Sequence, residues 1–168
     1  GQVEVADQLA GLRWLKAQPW IDPARIGVSG WSYGGFMALM LMTEPGAGFA
    51  AGAAGAPPTR WDLYDTAYTE RYMDTPARNP AGYAASDILT RLPRLQGELL
   101  LLHGMADDNV TFDNTTRVMA ALQAASRPFD SMLYPGERHG IRSQPKGLHL
   151  WRTYLDFFTR ALRPEPAR

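Results

Sequence analysis

Residues 30 to 34 read G-W-S-Y-G, with Ser32 held between glycines two positions to either side. A serine at the tip of a sharp turn between a strand and a helix would lift its hydroxyl above the sheet. The backbone N–H of Tyr33 would then be free to donate to an oxyanion. Gly30 and Gly34 are expected to be steric necessities, because a Cβ at either position would collide with the adjoining strand or helix. The same five residues would also suit a polar serine in a glycine-rich loop, so partners must decide. A serine nucleophile needs a base, and the base needs an acid to orient it. The chain has three histidines. His139 sits in the glycine-flanked loop G-E-R-H-G, His103 reads as a packed residue holding a loop, and His149 reads as a surface residue of the last helix. Two acids, Asp107 and Asp108, follow the run E-L-L-L-L-H-G. Either could orient His139, and either could instead cap the helix that follows at residue 113.

These groups meet only if the intervening chain places them at one edge of a sheet. Val5, Leu9, Leu12 and Leu15 recur at helical spacing over residues 5–18, and Pro19 ends that helix. Residues 25–30 read as a buried strand, 33–43 as a helix, and 50–56 as a second strand of small residues. Residues 60–72 read as a helix with Trp61, Tyr64, Tyr68 and Tyr72 on one face. A polar, proline-bearing segment then leads to E-L-L-L-L-H-G, apolar on both faces as in a covered parallel sheet. A helix over 113–125, a strand over 128–134 and a helix marked by Leu148, Trp151, Leu155, Phe158 and Leu162 complete the pattern. Strands alternating with helices predict an α/β fold, a parallel sheet with helices on both faces. In such a sheet, reactive side chains gather beyond the carboxyl ends of the strands. Ser32, the two aspartates and His139 all fall there, in the order serine, acid, histidine.

Composition excludes other chemistries. The 168 residues carry 17 basic and 17 acidic side chains, which gives no electrostatic reason for a nucleic-acid partner or an anionic membrane. With no cysteine, thiolate catalysis, Cys-ligated zinc and disulfides are all ruled out. No apolar run is long enough to cross a membrane and no signal-peptide pattern opens the chain, which leaves periplasm and cytoplasm equally open.

The motifs G-W-S-Y-G-G-F, W-D-L-Y-D-T-A-Y-T-E-R-Y-M, H-G-M-A-D-D-N-V and E-R-H-G-I occur in that order over nearly the whole chain. Together they resemble the C-terminal catalytic portion of the prolyl oligopeptidase family of α/β-hydrolases, in its dipeptidyl peptidase IV branch. The resemblance implies Ser32 as nucleophile, Asp107 as the acid, His139 as the base and the Tyr33 N–H as one oxyanion donor. It implies a small apolar pocket for proline or alanine from Trp61, Tyr64, Tyr68, Tyr33 and Val110, although such spacing of aromatics equally marks a core face. It also implies that Asn109 binds a substrate carbonyl. Met105, Leu63 and Arg138 depart from the family's threonine, tyrosine and acidic residue.

The implied activity is a serine-type dipeptidyl aminopeptidase acting on peptides with proline or alanine in second position. It needs no metal and no organic cofactor. Homodimerisation would run through the region of the last helix. The family's second oxyanion donor, a tyrosine hydroxyl, and the propeller glutamates that hold the substrate's amino terminus have no counterpart in these residues. The chain is therefore expected to be a single truncated domain, the C-terminal part of a catalytic domain, working with the remainder of its own polypeptide. Two other readings remain open: an acylpeptide or ester hydrolase of the same fold, and a catalytically idle scaffold.

Overall fold

A computed structural model describes residues 1–163. Four strands, β1 (Gly27–Trp31), β2 (Ala51–Gly55), β3 (Glu98–Gly104) and β4 (Asp130–Tyr134), form one parallel sheet in the order β1-β2-β3-β4. Each parallel neighbour requires a crossover, and helices supply it. α2 (Tyr33–Met42) lies between β1 and β2, α3 (Thr66–Met73), α4 (Pro80–Ala85) and α5 (Ile88–Arg91) between β2 and β3, and α6 (Asp113–Ala124) between β3 and β4, while α1 (Gln2–Lys16) precedes the sheet and α7 (Gln144–Ala161) follows it.

The two-residue period of β3 divides the core. Leu99 and Leu101 point toward Phe36, Leu39, Ile88 and Val118, on the side covered by α1, α2, α5 and α6. Leu100 and Leu102 point toward Tyr134, Leu150 and Phe157, under α7. All four leucines are nearly or wholly without exposed surface, which explains a run with no polar alternation. In β2 every residue is Ala or Gly, and the reason is close approach. A Cβ on Gly52 would strike the Met42 side chain, and one on Gly55 would strike the Trp31 ring.

Three expectations need correction. Residues 60–72 are not one helix: Trp61–Leu63 form a 3-10 turn, and α3 starts only after Asp65, whose extended backbone breaks the first turn and whose carboxylate accepts from the Tyr68 N–H. The polar segment before β3 holds two short helices, capped by Asn79 and Asp87. The first strand, read as buried, is β1 at the edge of the sheet, and none of its residues is fully buried. The apolar stripe of α7 is divided. Leu150 and Phe157 are buried, whereas Leu148, Trp151 and Leu155 are exposed. Among the described residues no helix is long and apolar enough to cross a membrane.

Candidate active site

The chain leaves β1 and enters α2 through Ser32, whose backbone sits at φ 61° and ψ −122°. A left-handed φ on a non-glycine residue costs on the order of 1–3 kcal/mol, so its surroundings must hold it. They do so on both sides: the Ser32 N–H donates to the Gly55 carbonyl at 2.8 Å, and the Ser32 carbonyl accepts from the Phe36 N–H at 3.0 Å. A Cβ on Gly30 would overlap the Gly34 carbonyl, as expected. The expectation for Gly34 fails, since a Cβ there meets nothing within 4 Å. The close approach falls one residue later, where a Cβ on Gly35 would lie 2.5 Å from the Gly55 carbonyl oxygen. Gly35 is the residue of the first helical turn that faces β2.

Ser32 Oγ lies 2.8 Å from His139 Nε2, and His139 Nδ1 lies 2.8 Å from Asp107 Oδ2. Asp107 accepts and cannot donate when ionised, so Nδ1 carries the proton and Nε2 offers its lone pair to the serine hydroxyl. Tyr33 is the first residue of α2, and the N–H groups of a helix's first turn have no partner within the helix. Such a group beside Ser32 is suited to an oxyanion.

The loop after β3 is folded around Asp107. Its Oδ1 accepts from the N–H groups of Asn109 and Val110, at 2.9 and 3.0 Å. Its Oδ2 faces His139 and, at 3.2 Å, Nε2 of His103. Asp108 points the other way, largely exposed and paired with Arg138 at 3.0 Å. The structure thus brings Asp107, not its neighbour, to the imidazole.

On the other side of Ser32 lies a cluster of rings. Trp61 contacts Tyr33 and Tyr64 with centroids 5.8 and 6.0 Å apart, and stacks on Tyr68 at 6.0 Å. Tyr64 and Tyr68 meet edge to face at 5.4 Å. The Tyr64 hydroxyl donates to Asn109 Oδ1 at 2.8 Å, which leaves the Asn109 amide N–H groups to face elsewhere. Burial raises the Tyr64 and Tyr68 hydroxyls above the usual phenolic range, so both are protonated donors at neutral pH. Val110 is fully buried; its N–H serves Asp107 and its carbonyl serves His103.

Sequence reasoning missed two contacts. Tyr33 donates its hydroxyl to Glu4 on α1 at 2.8 Å, beside a cavity of about 520 Å³ that also touches Trp61, Tyr68 and Thr69. His103 was read only as a packed residue, yet it touches the carboxylate that holds His139. A cavity of about 770 Å³ between β1 and α7 is lined by none of Ser32, Asp107 and His139.

The model of the prolyl oligopeptidase family matches residues 1–165. Dipeptidyl peptidase 8 of Mus musculus is 43% identical over 153 residues, covering 89% of this chain and 17% of that protein. Dipeptidyl peptidase 4 of Felis catus is 40% identical over 161 residues, covering 94% and 21%. The crystal structure of Porphyromonas gingivalis dipeptidyl peptidase 4 superposes with a TM-score of 0.91 at 41% identity, over 94% of this chain and 22% of that one. The chain therefore spans about a fifth of the length of these relatives. A strand-to-helix serine turn, the later loops that meet it and a family match over nearly every residue lead to one conclusion: the chain belongs to the prolyl oligopeptidase family.

Proposed function

We propose that the polypeptide carrying this chain is a serine dipeptidyl aminopeptidase that releases dipeptides after a penultimate proline or alanine. The hydrogen-bond chain Ser32–His139–Asp107 carries this reading. In it, Ser32 Oγ attacks the substrate carbonyl while His139 Nε2 takes its proton. Asp107 holds the imidazole in its tautomer and stabilises the imidazolium that forms. The Tyr33 N–H receives the developing oxyanion. His139 returns the proton to the leaving amine, and water then releases the acyl group from Ser32 by the same steps in reverse.

The rings of Tyr33, Trp61, Tyr64 and Tyr68 would seat the side chain before the cut bond, and Val110, which has no exposed surface, would support the site from within through its bonds to Asp107 and His103. Rings fixed edge to face on one another offer a flat apolar seat, which favours the proline ring or a methyl over longer side chains. The Asn109 amide, turned by Tyr64, would donate to a substrate carbonyl. The chain acts as the C-terminal part of a larger catalytic domain, and the exposed stripe Leu148, Trp151 and Leu155 supports docking of a second copy on α7.

A fluorophosphonate probe tests the nucleophile: it labels Ser32, and Ser32→Ala removes the label. Turnover of Gly-Pro and Ala-Pro chromogenic dipeptides, against N-acylated peptides and simple esters, tests the substrate class. Preference for the blocked substrates makes the polypeptide an acylpeptide or ester hydrolase. Absence of both labelling and turnover makes this chain a scaffold.

A further inference from the structure

His103 follows four buried leucines in β3, one residue before the strand ends at Gly104, and it has no exposed surface. Each ring nitrogen has a partner. Nδ1 lies 2.7 Å from Thr115 Oγ1, and Nε2 lies 2.9 Å from the Val110 carbonyl oxygen and 3.2 Å from Asp107 Oδ2. A carbonyl can only accept, so Nε2 must carry a hydrogen. Burial holds the ring below the usual histidine range and hence neutral, so Nδ1 carries none and accepts from the Thr115 hydroxyl. The Phe112 ring closes the edge, 5.5 Å away and steeply tilted. The titratable groups that act on the ring are Asp107 and His139.

We propose that His103 is a positioning residue for Asp107: its Nε2–H, bonded to the Val110 carbonyl at 2.9 Å and lying 3.2 Å from Asp107 Oδ2, turns the positive end of its dipole toward the carboxylate that orients His139. Two histidines thus share one acid on unequal terms. A charged His103 would compete with His139 for the carboxylate's charge. A neutral one supplies only a dipole, leaving that charge to the imidazolium formed during catalysis. Two backbone N–H groups hold Oδ1, and the imidazole of His103 packs 3.2 Å from Oδ2, so a turn of the carboxylate away from His139 would break the first pair and meet the ring. The inference rests on the reading of Ser32, His139 and Asp107 as the catalytic group.

The test uses the full polypeptide carrying this chain, in wild-type form and as His103→Leu and His103→Gln. The readout is the pH dependence of fluorophosphonate labelling of Ser32. Leucine removes the dipole facing Asp107, whose less compensated charge then keeps a proton on the imidazole more firmly. The acid limb of the profile should move up by about one pH unit, as loss of a dipole facing a nearby charge does. The glutamine amide places an N–H where Nε2 stood and should restore most of that shift.

A slower rate with an unmoved midpoint in His103→Leu overturns the proposal, as does an equal shift in both variants. The tautomer is read independently from imidazole nitrogen resonances of the wild-type protein. The proposal requires neutral Nε2–H at His103 at and above pH 6.5, the ordinary histidine value below which burial holds its titration. An imidazolium or the Nδ1–H form overturns it even if His103→Leu fails to fold. Because that measurement needs no turnover, it separates failure of this inference from failure of the peptidase reading, which shows as an unlabelled Ser32.

Discussion

The indole N–H of Trp31 donates to the carbonyl oxygen of His139 at 2.6 Å, across 108 residues of sequence. Trp31 immediately precedes Ser32, so the serine turn and the histidine loop are joined through the backbone as well as through the imidazole. The ring can reach His139 because residue 55 is glycine and leaves room for it on β2. Trp31→Phe keeps the apolar ring and deletes the N–H. A neutral hydrogen bond contributes about 0.5–1.5 kcal/mol, so labelling of Ser32 by a fluorophosphonate should slow roughly 2- to 10-fold. An unchanged rate would mean that the loop is held without this bond.

The glycines around Ser32 should differ in their tolerance of a methyl group. Gly35→Ala forces a Cβ against the Gly55 carbonyl and should destabilise by about 1–3 kcal/mol, as overpacking does. Gly34→Ala meets open space within α2 and should stabilise by up to about 1 kcal/mol through helix propensity. Denaturant unfolding of the two variants decides the point, and a reversed order would contradict the placement of the first turn of α2.

Burial of His103 makes stability depend on pH in a definite direction. The folded ring binds its proton below 6.5, the ordinary value, so above that pH both folded and unfolded forms are neutral and the fold is at full strength. As pH falls below 6.5 the unfolded chain gains a proton that the folded one refuses, and stability drops. His103→Gln removes this component, so its unfolding midpoint should depend less on pH between about 6.5 and 5 than that of the wild type.

Tyr154 acts at the alkaline end. Burial raises its hydroxyl from 10.0 to about 12. Its contribution is complete below pH 10 and is lost as pH rises toward 12, because the unfolded chain ionises first. Tyr154→Phe should flatten the alkaline limb of a melting curve series, and an identical limb would remove Tyr154 as its source.

The stripe on α7 gives a separate test. Leu148, Trp151 and Leu155 are 53%, 69% and 67% exposed, so serine at 151 and 155 should change unfolding by no more than about 0.5 kcal/mol. If a second copy docks there, the double variant of the full polypeptide should sediment as a smaller species than the wild type. Equal sedimentation would argue against α7 as a dimer surface.

The parallel sheet and the strand ends were legible because burial on both faces writes itself as an apolar run and chemistry demands its groups in a fixed order. The split between Trp61 and α3 was less visible, since aromatics at spacings of three and four look alike on a 3-10 turn followed by a helix. The signal lay in Asp65, a capping residue three before Tyr68. Helices α4 and α5 are too short for periodicity to show; Asn79-Pro80 and Asp87 mark their starts, and burial of Ile88 secures the second. The contact of His103 with Asp107 had no sequence signal. It depends on the chain turning back on itself after β3, and spacing alone does not encode that turn.

The wide separation of Ser32 and His139 also orders events in time. A chain made from its amino end presents the strained serine turn, then Asp107, and only after 107 residues the imidazole. The loop that carries His139 is braced in turn by residues later still: Lys146 donates to the Pro135 carbonyl at 2.7 Å and Ser143 to the Glu137 carboxylate at 2.7 Å. A nascent chain therefore carries a serine without a base until α7 begins to form. By this order of emergence, the hydroxyl is not activated until the β-strands around it have all been made.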